Sequence, residues 1–135
     1  MSAMAEQEKS LTEEEKTVFD LCKEDSLEKL KNKLDKNGLD QIDEDGLTLL
    51  MWSCDRGHVA IADFLLEQGA DINIQDNDGQ TSLHYAASCE HKDMVELLLK
   101  NKKINIDLTD SDGFIAEKCT DNKDIIDIFN NNKKS

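Results

Sequence analysis

The sequence predicts an all-α solenoid of about four stacked helix pairs: two full repeats between degenerate caps, with β-turn loop tips. Three observations carry that expectation. Gly46, Gly79 and Gly113 lie 33 and 34 residues apart, closing Asp43-Glu-Asp45-Gly46, Asp76-Asn-Asp78-Gly79 and Asp110-Ser-Asp112-Gly113. Laying residues 43–75 over 76–108 gives eight identities in the first 24 columns: Asp43/Asp76, Asp45/Asp78, Gly46/Gly79, Thr48/Thr81, Leu50/Leu83, His58/His91, Leu65/Leu98 and Leu66/Leu99. Trp52 falls on Tyr85 in the same register. Between the glycine loops apolar residues recur at helical spacing, and with no proline in the chain glycine is the main punctuation.

The elements follow in order. Residues 1–10 and 131–135 are expected to be disordered tails flanking a single domain over 11–130, with repeats at about 11–42, 43–75, 76–109 and 110–130. In the first repeat Thr12 precedes Glu15 at capping-box spacing, and Val18, Phe19, Leu21 and Cys22 follow. Ser26 is placed to cap a second helix carrying Leu27, Leu30 and Leu34 on one face. Helices are expected near 47–55 and 59–67, then near 80–88 and 92–100 with Met94, Val95 and Leu98 inward. The loop Lys102-Lys-Ile-Asn-Ile-Asp-Leu108 is one residue longer than its counterpart at Gly69-Ala70-Asp71, so a different path is expected after Leu99. In the last repeat Ile115-Ala-Glu-Lys118 replaces the usual helix start, and a final helix near 122–130 keeps Ile125, Ile126, Ile128 and Phe129. Residues 11–42 and 110–130 read as caps, since each end has a neighbour on one side only.

Composition narrows the function. Of 135 residues, 30 are Asp or Glu against 16 Lys or Arg, a net charge of −14. Nucleic acid and anionic membranes need clustered cations, so neither is expected as the main partner. No apolar run reaches the length of a transmembrane span, and the start lacks the pattern of a secretory signal. With four widely spaced cysteines and no glycosylation sequon, a reduced cytoplasmic or nuclear location is expected.

Asp76-x-x-Gly79-x-Thr81-Ser-Leu83-His84-Tyr-Ala86-Ala87 resembles the ankyrin signature, with Ser82 where proline is usual. Arg56-Gly57-His58 and Gly69-Ala70-Asp71 extend the resemblance, which covers about residues 11–130. More narrowly, Trp52-Ser-Cys54-Asp-Arg56-Gly57-His58 and Ile72–Glu90 look like the C-terminal ankyrin section of acyl-CoA-binding-domain-containing proteins. That resemblance implies a partner-docking module. The acyl-CoA-holding domain of the family is separate, so lipid binding passes to no residue of this chain.

Each chemical reading has a plainer rival. Cys54 with His58, or His84 with Cys89 and His91, would supply zinc-ligand types. However, Cys22, Cys54, Cys89 and Cys119 track the repeat, and His58 and His91 share one column, so no metal is expected. A calcium loop would need oxygen ligands where Gln41, Ile74 and Leu108 precede the glycine triplets, and a Glu where Trp52, Tyr85 and Cys119 follow, so the aspartates read as turn residues. Cys89 activated by His84 or His91 is the only nucleophile reading, and the ankyrin resemblance already gives His84 the task of bonding neighbouring loops. No catalytic residue, cofactor or enzymatic activity is expected.

The surface left over belongs to recognition. In ankyrin stacks the loop tips and the exposed side of the first helix form a concave face. The matching columns here are Glu44, Asp45, Leu47, Asp55 and Arg56, then Asn77, Asp78, Gln80, Ser88 and Cys89, then Ser111, Asp112 and Phe114. Residues 43–75 hold Arg56 alone against seven acids, net −6. A protein partner with a basic surface is expected on a monomer, with Leu47 and Phe114 as apolar anchors. A small free-standing inhibitor similar to myotrophin, or a regulatory arm of an attached acyl-CoA-binding domain, are the alternatives.

Overall fold

The computed structural model describes residue 12 and residues 15–133. Among the described residues seven α-helices follow in chain order: α1 Val18–Lys23, α2 Leu27–Lys33, α3 Leu49–Arg56, α4 Val59–Glu67, α5 Ser82–Ser88, α6 Lys92–Leu99 and α7 Lys123–Lys133. A short 3₁₀ turn, Ala116–Cys119, precedes α7. The first helices of successive pairs stack on one another, α1 on α3, α3 on α5, and α5 on the 3₁₀ turn. On the other layer α4 packs on α6 and α6 on α7. No strand occurs among the described residues, only isolated antiparallel bridges such as Ile42 with Thr48 and Thr109 with Ile115. This is the all-α repeat architecture that the glycine spacing predicts.

Threonine sets where the first helix of each pair begins. Thr48 and Thr81 are the residues before α3 and α5, and each hydroxyl accepts from the backbone three residues on, at 3.1 Å from Met51 and 3.3 Å from His84. These helices therefore start two residues after the expected 47 and 80. In the first pair the cap of α1 is Thr17, which forms a capping box with Asp20, while further upstream Thr12 N–H donates to Glu15 Oε2 at 3.1 Å, one arm of the expected box. Ser26 does stand before α2, but its hydroxyl donates to Glu24 Oε1 at 3.1 Å rather than capping the helix. Ile115 occupies the threonine column in the last repeat and has no hydroxyl to offer. There the chain makes a 3₁₀ turn where its neighbours make an α-helix.

The core lies between the two layers. Leu30, Leu49, Leu50, Ile61, Leu65, Leu83, Met94, Leu98, Ile125 and Phe129 are buried, each from a helix face at i, i+3/i+4 spacing. Helix α7 runs to Lys133, three residues past the expected end. Residues 1–10 and the last two lie outside the described residues.

The extra residue after Leu99 is absorbed locally. Asp71 N–H bonds Asp40 Oδ1 at 2.9 Å, and Asn105 N–H bonds Asn73 Oδ1 at 2.8 Å. Asp71 Oδ1 accepts from Asn73 N–H, and Asn105 Oδ1 accepts from Asp107 N–H, so position 105 repeats position 71. The insertion thus sits between Leu99 and Asn105, and the older register resumes before the next loop tip.

Candidate interaction surface

Each Asp-x-x-Gly loop folds into a short finger. Asp43, Asp76 and Asp110 use Oδ1 twice, accepting from the backbone N–H two and four residues ahead at 2.9–3.0 Å. Gly46, Gly79 and Gly113 close the turns at φ of 83°, 77° and 86°, a left-handed conformation in which a side chain would be strained. The fingers are tied in sequence: Asn77 N–H donates to Asp45 O at 3.2 Å, and Ser111 N–H to Asp78 O at 2.8 Å.

The second oxygen of each finger aspartate tells the repeats apart. Trp52 Nε1 donates to Asp43 Oδ2 at 2.8 Å, and the Tyr85 hydroxyl donates to Asp76 Oδ2. Burial raises the Tyr85 pKa, and the bond to Asp76 and its charge raise it further, so the phenol stays protonated. At Asp110 the corresponding position is Cys119, whose thiol pKa is raised by burial and by the Asp110 charge.

Histidines hold the repeats to one another. His58 Nε2 donates to Lys23 O at 2.9 Å, and His91 Nε2 donates to Asp55 O at 2.8 Å, so each satisfies a helix-end carbonyl of the preceding pair. The two turns share one geometry although Gly57 precedes His58 and Glu90 precedes His91: both are left-handed, at φ of 74° and 58°. A Cβ on Gly57 would lie 2.9 Å from the His91 ring, which is why glycine is needed there. His84 is buried and fully engaged. Its Nδ1 accepts from Thr81 N–H at 3.2 Å and Thr81 Oγ1 at 2.8 Å, and its Nε2 donates to Phe114 O at 2.9 Å. That is the loop-bonding role expected of it.

These bonds bear on the chemical alternatives. Among the described residues, His84, Asp110 and Cys119 bring ligand atoms within 4.8 Å of one another, a trio not foreseen from the spacing. Both ring nitrogens of His84 are already committed, so a metal there would have to break the bonds to Thr81 or the bond to Phe114. Burial pushes the Cys22 and Cys54 thiols up to about 12. Cys89 is exposed, yet burial of its sulfur, its bond to Asp55 Oδ1 at 3.4 Å and the Asp55 charge raise it to about 11. A thiol so far above its ordinary range is a poor nucleophile.

The concave columns divide by exposure. Glu44, Asp45, Asn77, Asp78, Ser111 and Asp112 are exposed at the finger tips, with Arg56, Ser88 and Cys89 exposed at helix ends; Asp55 and Gln80 are half-buried. Leu47 departs from expectation: it is 8% exposed, because the next finger covers it. Phe114, in the same column, has no following finger and is 52% exposed. Ile42 at the first finger, 58% exposed, is the apolar tip residue that the sequence reading missed. The −6 of residues 43–75 is not all at the tips either, since Asp63 and Glu67 lie on α4.

Between the second and third repeats the tips enclose a cleft of about 380 Å³, lined by Asp45, Leu47, Trp52, Asp55, Asn77, Asp78 and Tyr85. Trp52 and Tyr85 were visible in the sequence as an aromatic column, but not as the lining of a cleft. The Trp52 ring carries Lys23 Nζ at 4.2 Å from its centroid and the Arg56 guanidinium at 5.6 Å.

Stacked helix pairs joined by hydrogen-bonded fingers define a repeat protein of the interaction class. The chain belongs to the ankyrin-repeat family: the family description "Ankyrin repeats (3 copies)" matches residues 18–110. Acyl-CoA-binding domain-containing protein 6 of Xenopus tropicalis is 40% identical over 74 residues, covering 53% of this chain and 26% of that protein. A putative ankyrin repeat protein, L92, of Acanthamoeba polyphaga mimivirus is 46% identical over 56 residues, covering 41% of this chain and 14% of its own. Human Rabankyrin-5 is 33% identical over 75 residues, covering 56% and 6%. The chain thus spans about a quarter or less of the length of these relatives. The resemblance read from residues 52–90 is borne out by the first of them.

Proposed function

We propose that this chain is a non-catalytic protein-binding module that docks a partner with a basic surface on its finger edge and concave face. The observation that carries the reading is the run of exposed carboxylates Glu44, Asp45, Asp78 and Asp112 along hydrogen-bonded fingers, ending at exposed Phe114. Charges held at one edge by a rigid backbone ladder steer an oppositely charged surface, and an exposed aromatic gives it an apolar contact. The full contact set is Glu44, Asp45, Leu47, Asp55, Arg56, Asn77, Asp78, Gln80, Ser88, Cys89, Ser111, Asp112 and Phe114. Leu47 now lines the cleft instead of serving as a projecting anchor. The module works as a monomeric single domain over about 11–130, without cofactor or metal. Four cysteines that form no disulfide suit a reducing cytoplasmic or nuclear setting. Its similarity to acyl-CoA-binding domain-containing protein 6 supports a role as the ankyrin part of a protein of that type.

The test is kinetic. A partner is identified by pull-down and its binding measured at two salt concentrations. Reversing Glu44 and Asp45 to Lys slows association and flattens its salt dependence, whereas Phe114→Ala speeds dissociation. If both variants bind as the parent does, the partner uses another face.

A further inference from the structure

The cleft between the second and third repeats is more specific than the acidic edge it belongs to. It is lined by buried Leu47, by half-buried Trp52, Tyr85 and Asp55, and by exposed Asp45 and Asp78. Both rings are pinned, because each gives its polar hydrogen to the finger aspartate of its own repeat. Their orientation is therefore set before any partner arrives. Trp52 already takes cations: Lys23 lies over it, and so does Arg56, whose Nε is 3.5 Å from Asp55 Oδ2. Aromatic ring, carboxylate and guanidinium thus meet once within the chain itself. Asp45 and Asp78 are exposed, and no ion pair among those described engages either.

Resting on the proposed function above, we infer that this cleft holds an arginine side chain of a basic partner segment. The alkyl stem lies on Leu47 and the ring faces, and the guanidinium reaches Asp45 and Asp78. Arginine fits better than lysine because its planar, weakly hydrated head stacks on aromatic rings and bonds carboxylates in pairs. Lysine carries the same charge but brings a compact, strongly hydrated ammonium.

The experiment uses three synthetic nonapeptides of alternating serine and arginine, serine and lysine, or serine and citrulline. Trp52 is the only tryptophan, so its indole N–H gives a single NMR resonance that reports on this cleft. The expected result is that the arginine peptide moves that resonance, the lysine peptide binds on the order of fivefold more weakly, and the citrulline peptide does not bind. Asp78→Asn, at a side chain with no hydrogen bond or ion pair among those described, should weaken the arginine peptide on the order of fivefold while leaving the amide spectrum native. Equal affinity for the arginine and lysine peptides would overturn the inference, leaving simple charge attraction. An unmoved indole, with binding still weakened by Glu44→Lys or Asp112→Lys, would sink the cleft but keep the acidic edge. If none of these variants weakens binding, the cleft and the edge fall together.

Discussion

Asp43 shows how a turn residue becomes a tertiary one. Burial alone would raise its pKa, but hydrogen bonds from Trp52, Leu47 and Asp45, with the Lys23 charge, outweigh burial and hold the carboxyl below its usual range. A folded-state pKa below the unfolded one gives stability that is present above the unfolded value, near about 4. That stability is lost as pH falls through the folded value. Trp52→Phe keeps a ring but removes the indole donor, so Asp43 moves up toward its ordinary range. The stability gap between parent and variant should then be wider at about pH 7 than at about pH 3, because the packing loss is present at both and the charge loss only at the higher. Denaturant unfolding at the two values measures it, and equal gaps would remove the Asp43–Trp52 bond from the account. The Asp43/Asp76 identity was legible in the sequence as turn chemistry. Its aromatic partner nine residues on was legible only as a matching column, because a bond from a helix back to a loop depends on how the helix is laid against it.

Among the elements, the fingers give the sharpest contrast. Gly79 and Gly113 share a left-handed φ, yet a Cβ on Gly79 would lie 3.0 Å from Asp110 Cα and Ser111 N, whereas one on Gly113 meets nothing within 4 Å. Alanine at either position carries the left-handed penalty of about 1–2 kcal/mol. Gly79→Ala must in addition push the third finger away and weaken the Ser111 N–H bond to Asp78 O. It should therefore lower the denaturation midpoint clearly more than Gly113→Ala. Equal losses would mean that the fingers do not touch as described. The same logic of neighbours explains the misplaced anchor. Leu47 and Phe114 share a column, but only Leu47 has a finger beside it, and sequence alone does not weight a position by what covers it. The missing helix before α7 was legible in part: the Ile115-Ala-Glu-Lys118 departure was visible, and its consequence follows from the loss of the capping hydroxyl.

For the whole molecule, charge is the dominant surface property. A net −14 concentrates repulsion in the folded state, and the fingers bring Glu44, Asp45, Asp78 and Asp112 onto one edge. Added salt screens that repulsion over about 8–10 Å, so raising sodium chloride from about 20 to about 200 mM should increase the melting temperature by a few degrees. A fall in melting temperature would mean that attractive ion pairs outweigh the repulsion.

By itself the sequence determined the repeat, its period, the helix pairs and the family, because local hydrogen bonds and apolar spacing act over a few residues and recur. It also determined the turn roles of the aspartates and glycines, and the ankyrin resemblance implied the loop-bonding role of His84. Only the tertiary structure decided that Leu47 turns inward while Phe114 and Ile42 stay out, and that the inserted residue is absorbed before Asn105. It alone placed Trp52, Tyr85, Asp45 and Asp78 around one cleft. Each of those outcomes depends on what the adjacent repeat covers, and that contact spans some thirty residues of chain that no local pattern records.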